Sequence, residues 1–355
     1  MRSIRNFKNV QKDKFQEMDK FSKSLLIFFL LFSSVPIVFA HTPLKLNGKN
    51  DTLDTALNIP NPTKSWTLYR EIQEEGEAEY FRLRLHEGEK FVVSVYTPRN
   101  TEPNFVPNLV VMGPEIDSIS QVPAFIEIPL NVELRHIEGS RSEAPEYEPF
   151  TPASYYFTAE YRSDMEVEGD YYFVVYSDGG EGRYGVAVGY VETFTMLEWL
   201  KIPFDVIGIH LWEGQSLGQI FAPLALTLMA GFGALLWKFR ARANAIVLLG
   251  VLAGLLYIGS GFMTFTQMFI ALIGATSASS AMLTLVFAIL PIVLGLVMVK
   301  KMLGGNTSLN MRDRLIMLML GIFGLVLWSG LLVGPVISII ISFLPGSKRA
   351  PRARS

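Results

Sequence analysis

Polar and apolar residues alternate along the first half of the chain and separate into long apolar blocks along the second. From Tyr80 the alternation is strict: Phe81, Leu83 and Leu85 fall on one face and Arg82 and Arg84 on the other, the period of a half-buried strand. The turn His86-Glu87-Gly88-Glu89-Lys90 comes next, and Phe91, Val93 and Val95 resume the pattern. Residues 80–96 therefore predict a β-hairpin, with Gly88 supplying the positive backbone angle of its loop. A second pair is predicted at 171–176 and around Tyr184, Val186, Val188 and Tyr190, divided by Asp178-Gly179-Gly180. Weaker strands fall at 108–112 and 132–137. Pro145, Pro149 and Pro152 make 143–152 a long surface loop rather than a central strand. Short strands at this spacing predict an all-β sandwich or jelly roll over residues 41–195.

The apolar blocks lie at about 216–237, 245–273, 281–299 and 315–344, each long enough to cross a hydrocarbon core of roughly 30 Å as a helix. Lys238, Arg240 and Arg242 come after the first, and Lys300, Lys301, Arg312 and Arg314 separate the third from the fourth. The loop at 275–280 is uncharged. The positive-inside rule then sets 238–244 and 300–314 in the cytoplasm and the β-rich segment outside. The basic tail, 345–355, is the exception, because a single last span would leave it outside. A re-entrant last helix broken around Gly330, Gly334 and Pro335 would return it, and the single span is the preferred expectation. No Asp, Glu, Lys, Arg or His falls in the central part of any block, which argues against an independent pump or coupled transporter. Gly250 and Gly254, like Gly330 and Gly334, are spaced to let helices approach closely.

Two shorter segments complete the layout. Seven Lys or Arg among residues 1–23 precede an apolar run at 25–39 that ends Val38-Phe39-Ala40, the order of a signal peptide cleaved after Ala40. An uncleaved signal anchor is the alternative, and either would export the β-rich segment. Between strands and helices, residues 196–215 interleave Trp199, Phe204 and Trp212 with charged groups and His210. These four are expected at the membrane interface, as a collar that fixes how the β domain stands.

Charge sharpens the division. Residues 41–213 hold 13 Lys or Arg against 29 Asp or Glu, so the overall −2 is the sum of an acidic exported segment and basic flanks. Such a segment repels phosphate backbones, so nucleic acid is not an expected partner. The chain has no cysteine, which excludes disulfides, thiolate metal sites and cysteine nucleophiles.

The motifs "HEGEKFVVSVYTP", "PNLVVMGP" and "EGDYYFVVYSDGGEGRYGVAVGY" resemble the pre-peptidase C-terminal type of β-sandwich over about residues 50–192. Gly169, Tyr171, Tyr172, Gly182 and Tyr184 match the closing pair of strands in that family. The layout also resembles uncharacterised prokaryotic membrane proteins of similar length. The resemblance implies ligand or polysaccharide binding, or packing beside another domain, and assigns no catalytic residue.

Candidate chemistry is sparse. Cleavage after Ala40 would expose His41, whose α-amino group and ring nitrogen could chelate copper as a histidine brace completed by a second imidazole. The metal candidates are His41, His86 and His136. Glu71, Glu74, Glu75, Glu77 and Glu79 lack the spacing of a calcium loop and read as a solvated face. No nucleophile elbow or phosphate loop is present. The expected function is a membrane-anchored extracytoplasmic module, not an enzyme, that binds a ligand, glycan or partner protein. A copper-binding protein and an accessory subunit of a membrane transporter or enzyme complex are the alternatives.

Overall fold

The computed structural model describes residues 41–114, 116, 121–238, 244–276, 278–304 and 309–344. The expected signal peptide and the basic tail lie outside that range, as do Arg240 and Arg242.

Eleven strands form two mixed sheets. In chain order they are β1 (Thr42–Pro43), β2 (Leu57–Asn58), β3 (Trp66–Ile72), β4 (Ala78–Leu85), β5 (Lys90–Pro98), β6 (Asn108–Gly113), β7 (Glu133–Ile137), β8 (Glu146–Glu148), β9 (Ala153–Asp164), β10 (Gly169–Tyr176) and β11 (Gly182–Val188). The six-stranded sheet runs β1-β3-β11-β5-β9-β8 and the five-stranded sheet β2-β4-β10-β6-β7. Only the short β1 and β2 pair in parallel, with β3 and β4 respectively.

Both predicted hairpins are corrected by this topology. β4 and β5 belong to different sheets, and so do β10 and β11. Each connection is an arch that carries the chain across the core. Alternation shows which side chains face inward but not whether the next strand pairs edge to edge or crosses to the facing sheet. Here Phe81, Leu83 and Leu85 of β4 and Phe91, Val93 and Val95 of β5 enter the same buried cluster from opposite sides. Phe81 stacks on Phe173 of β10 with ring centroids 4.6 Å apart. Gly88 does adopt the positive φ that the turn needs, at 82°.

The proline-bearing stretch is also corrected. It contains β8, an edge strand on β9, and Pro145, Tyr147 and Pro149 are buried rather than superficial. β9 escaped the sequence pattern because its first half is covered on both sides: Ala153, Ser154 and Tyr155 are all buried, so no alternation survives.

The second half is helical: α1 (Met196–Trp212), α2 (Leu217–Lys238), α3 (Ala245–Leu272), α4 (Ala281–Gly304), α5 (Met311–Val326) and α6 (Val333–Phe343). Three of them, α2, α3 and α4, are long and apolar enough to cross a membrane, and the α5–α6 pair passes the same test together. Capping explains their starts. Asn244 accepts from the Val247 N–H, and Asn310 and Asp313 form a reciprocal capping box on α5. Gly254 of α3 and Gly295 of α4 face each other so closely that a Cβ on either would collide with the other's carbonyl. The small-residue spacing is therefore used inside the chain.

The last apolar block is not one continuous helix. α5 and α6 meet at 118° across Ser329–Leu332, where Trp328, Gly330, Leu331 and Leu332 all take positive φ. α6 folds back along α5, with the Ser338 hydroxyl donating to Met317 O at 2.7 Å. Hydropathy reads thirty apolar residues as one block, and the reversal depends on backbone angles that only Gly330 advertises.

Candidate functional site

The helix α1 is where the two halves of the described chain join. Thr195 caps it and forms a reciprocal box with Glu198, whose carboxylate also meets the Lys64 ammonium at 2.7 Å. Lys64 is buried, so this pair ties the start of the helix to the six-stranded sheet. At the other end the Trp212 indole donates to Arg70 O at 3.0 Å and its ring packs edge-on against Tyr69 at 4.8 Å. Asn100 donates to Glu213 O at 2.5 Å. The opposite flank of α1 meets the helices: the Trp328 indole donates to Trp199 O at 2.8 Å, and the two rings lie 4.3 Å apart.

The sheet domain touches the helices directly as well. Tyr147 of β8 donates to Thr284 of α4 at 2.7 Å, and Thr284 donates to Pro149 O at the same distance. Arg99 donates to Ile270 O at 2.7 Å, and the Thr276 N–H to Pro145 O at 2.9 Å. A joint with this many specific bonds is a rigid interface rather than a linker.

At the joint is a half-open cavity of about 110 Å³, walled by the 149–152 loop, α1, Ile220 of α2, α3, α4 and the strained tip between α5 and α6. Its surface is mostly apolar, and its polar groups are His210, Ser260, Thr264 and Gln267. Most of these are already engaged. Ser260 donates to Tyr257 O and accepts from the Gly330 N–H, Thr264 donates to Ser260 O, and Gln267 exchanges two amide bonds with Gln215 at 2.8 and 2.9 Å. His210 is 2 % exposed, and its Nδ1 lies 2.8 Å from a Glu213 carboxylate oxygen. Among the described residues its Nε2 has no hydrogen-bond partner. In a neutral imidazole a carboxylate on Nδ1 fixes the tautomer with Nε2 as the acceptor. Ser260 shares no hydrogen bond with His210, so the pair is not an activated nucleophile and base.

Of the four residues expected at the interface, Phe204 is exposed, whereas Trp199 and Trp212 pack inward and His210 is buried. The exposed apolar stripe of α1 is instead Leu197, Leu200, Phe204 and Leu211. The three metal candidates are not brought together. His41 lies beside β1 with Nδ1, the nitrogen that a chelate with an α-amino group uses, 2.5 Å from Ser65 Oγ. His136 lies on β7, an edge strand of the five-stranded sheet whereas β1 is an edge of the six-stranded one, and its Nε2 is 2.8 Å from Tyr176 OH. His86 is on the exposed β4–β5 turn, 3.3 Å from Glu168. Among the described residues no group of three or more His, Asp or Glu could hold a metal ion. In the acidic cluster, Glu79 is spent on Arg70 and Tyr184, and Glu77 accepts from the Gln73 and Glu74 N–H groups.

Sequence reasoning missed the cavity, although one signal was present. Ser260, Thr264 and Gln267 are four and three residues apart in an otherwise apolar helix, the spacing of a single polar face. No family model matches the chain, and no curated protein matches it in sequence.

Proposed function

We propose that the chain is a membrane-anchored binding module, with a β-sandwich standing on the extracytoplasmic face and a small ligand held in the cavity at the seam. The sandwich reading is supported by one buried cluster shared between the two sheets. The membrane reading is supported by charge: Lys238, Lys300, Lys301, Arg312 and Arg314 lie at the helix ends away from the sheets, which suits a cytoplasmic side there. Leu197, Leu200, Phe204 and Leu211 give α1 an exposed apolar face suited to headgroup level.

The α5–α6 pair reads as a re-entrant hairpin. At about 1.5 Å per residue, α6 reaches about 16 Å, half of a hydrocarbon core, so it is too short to cross alone. Its reversal turns the chain back toward the side where α5 begins, beside the Lys301–Asp313 ion pair at 2.5 Å. The basic tail then stays on the cytoplasmic side, in accord with its charge.

The observation that carries the binding function is the pocket: half-open, lined mainly by apolar groups where the 149–152 loop meets helices α1 to α4 and the α5–α6 tip, and including His210, whose Nε2 makes no hydrogen bond among the described residues. The test is a native intact mass of protein released from its membrane without chelator. A small organic adduct that disappears in Val206→Phe, which fills the cavity, is the expected result. A bare polypeptide would overturn the proposal, a copper adduct would favour the metal reading, and a stoichiometric second protein would favour an accessory subunit.

A further inference from the structure

Resting on the binding reading above, we propose that the cavity takes the hydroxyl-bearing head of a small apolar molecule, with the hydroxyl donating to Nε2 of His210. Hydrogen-bond supply sets this choice. Ser260, Thr264 and Gln267 are already bonded within the protein, whereas Nε2 of His210 makes no hydrogen bond among the described residues. In the neutral imidazole the Nδ1 proton points to Glu213 and Nε2 carries the lone pair. A ligand with a single hydroxyl would supply Nε2 with a donor while its body covers the apolar wall.

Other ligand chemistries fit less well. No Lys or Arg lines the cavity, and the Glu213 carboxylate sits just behind the imidazole, so an anionic head would meet repulsion without compensation. A ketone brings no donor for Nε2. A metal ion would find one imidazole and no further His, Asp or Glu group to complete its shell. Size narrows the class again. About 110 Å³ is less than the roughly 150 Å³ that encloses benzene, but this pocket is half-open, so a ring or branched head can enter it with the rest of the molecule left outside. The tip that closes the site is held by Trp328, Leu331 and Leu332 in left-handed backbone, a strained arrangement of the sort found at ligand clamps.

The experiment compares p-cresol with toluene, which has the same shape without the hydroxyl, on the full chain in detergent, reading quenching of the total tryptophan fluorescence at equal micellar concentrations. The proposal expects both to quench and p-cresol to bind about tenfold more tightly. In His210→Phe the preference disappears while toluene binding persists. In Val206→Phe neither binds. Equal affinity of the two probes for the unmodified protein would overturn the hydroxyl assignment and leave the binding cavity standing. Failure of both probes to bind the unmodified protein would overturn the cavity itself. The comparison on the unmodified protein does not depend on the folding of any variant.

Discussion

Replacing Glu148 by Gln should stabilise the protein at alkaline pH and leave it unchanged in acid. Glu148 sits on β8 at the joint between sheets and helices. One carboxylate oxygen accepts from the Phe150 N–H at 3.1 Å, and the other is buried with no partner among the described residues. Burial, opposed by that N–H and reinforced by Glu192, pushes its pKa from 4.5 up to about 7. The folded state thus keeps a proton that the unfolded chain loses. Stability therefore falls as pH rises from about 4.5 to about 7 and is constant above that window. A rise of this size, at about 1.4 kcal/mol per pH unit, is worth at most about 3 kcal/mol. Gln is neutral throughout, can keep the bond from Phe150, and offers an N–H toward Glu192. At pH 8 Glu148→Gln should melt roughly 5 °C above the unmodified protein, and at pH 4.5 the two should coincide. Thermal unfolding in detergent, monitored by tryptophan fluorescence at both pH values, measures the difference. An equal gain at both, or a lower melting point at pH 8, would refute the reasoning.

Two further pairs of substitutions probe the joint and the helix packing by the same melting assay. Glu198→Ala removes the α1 capping box and strands the buried Lys64, for a loss of about 2 kcal/mol, whereas Glu198→Gln keeps the cap and should lose roughly half as much. Gly295→Val drives a side chain into Gly254 O and Ile258, backbone and branched groups that cannot move aside. It should cost about 3 kcal/mol or abolish the folded form in detergent, while Gly233→Ala, in open space on α2, should be silent.

The sequence made the strands and helices far more legible than the way they meet. Alternation at Phe81, Leu83 and Leu85 identified a buried face, but edge pairing and face packing bury that face equally well, so both predicted hairpins became arches. The apolar helices could be read because a hydrocarbon core demands length and apolarity. The break at 328–332 could not, because three of its four left-handed residues are Trp or Leu, which carry no signature of that conformation. In α1 the aromatic residues attracted the interfacial reading, yet Trp199 and Trp212 form the joint, and the exposed face belongs to plainer leucines. His210 was noticed for its residue type. Its partner Glu213 is three residues further along the chain and was legible, whereas the cavity depends on five other segments brought together by tertiary packing.

Because the natural chain has no cysteine, single-cysteine variants can be labelled without background. The most direct test of the account is modification of Glu75→Cys, Arg312→Cys and Ser355→Cys by a membrane-impermeant maleimide in intact cells. Position 75 is on the sheet domain, 312 at the start of α5, and 355 in the tail. The account predicts labelling at 75 alone, with 312 and 355 reacting only after the membrane is opened. Labelling at 312 with protection at 75 would contradict the outward-facing sandwich, and labelling at 355 would contradict the re-entrant hairpin.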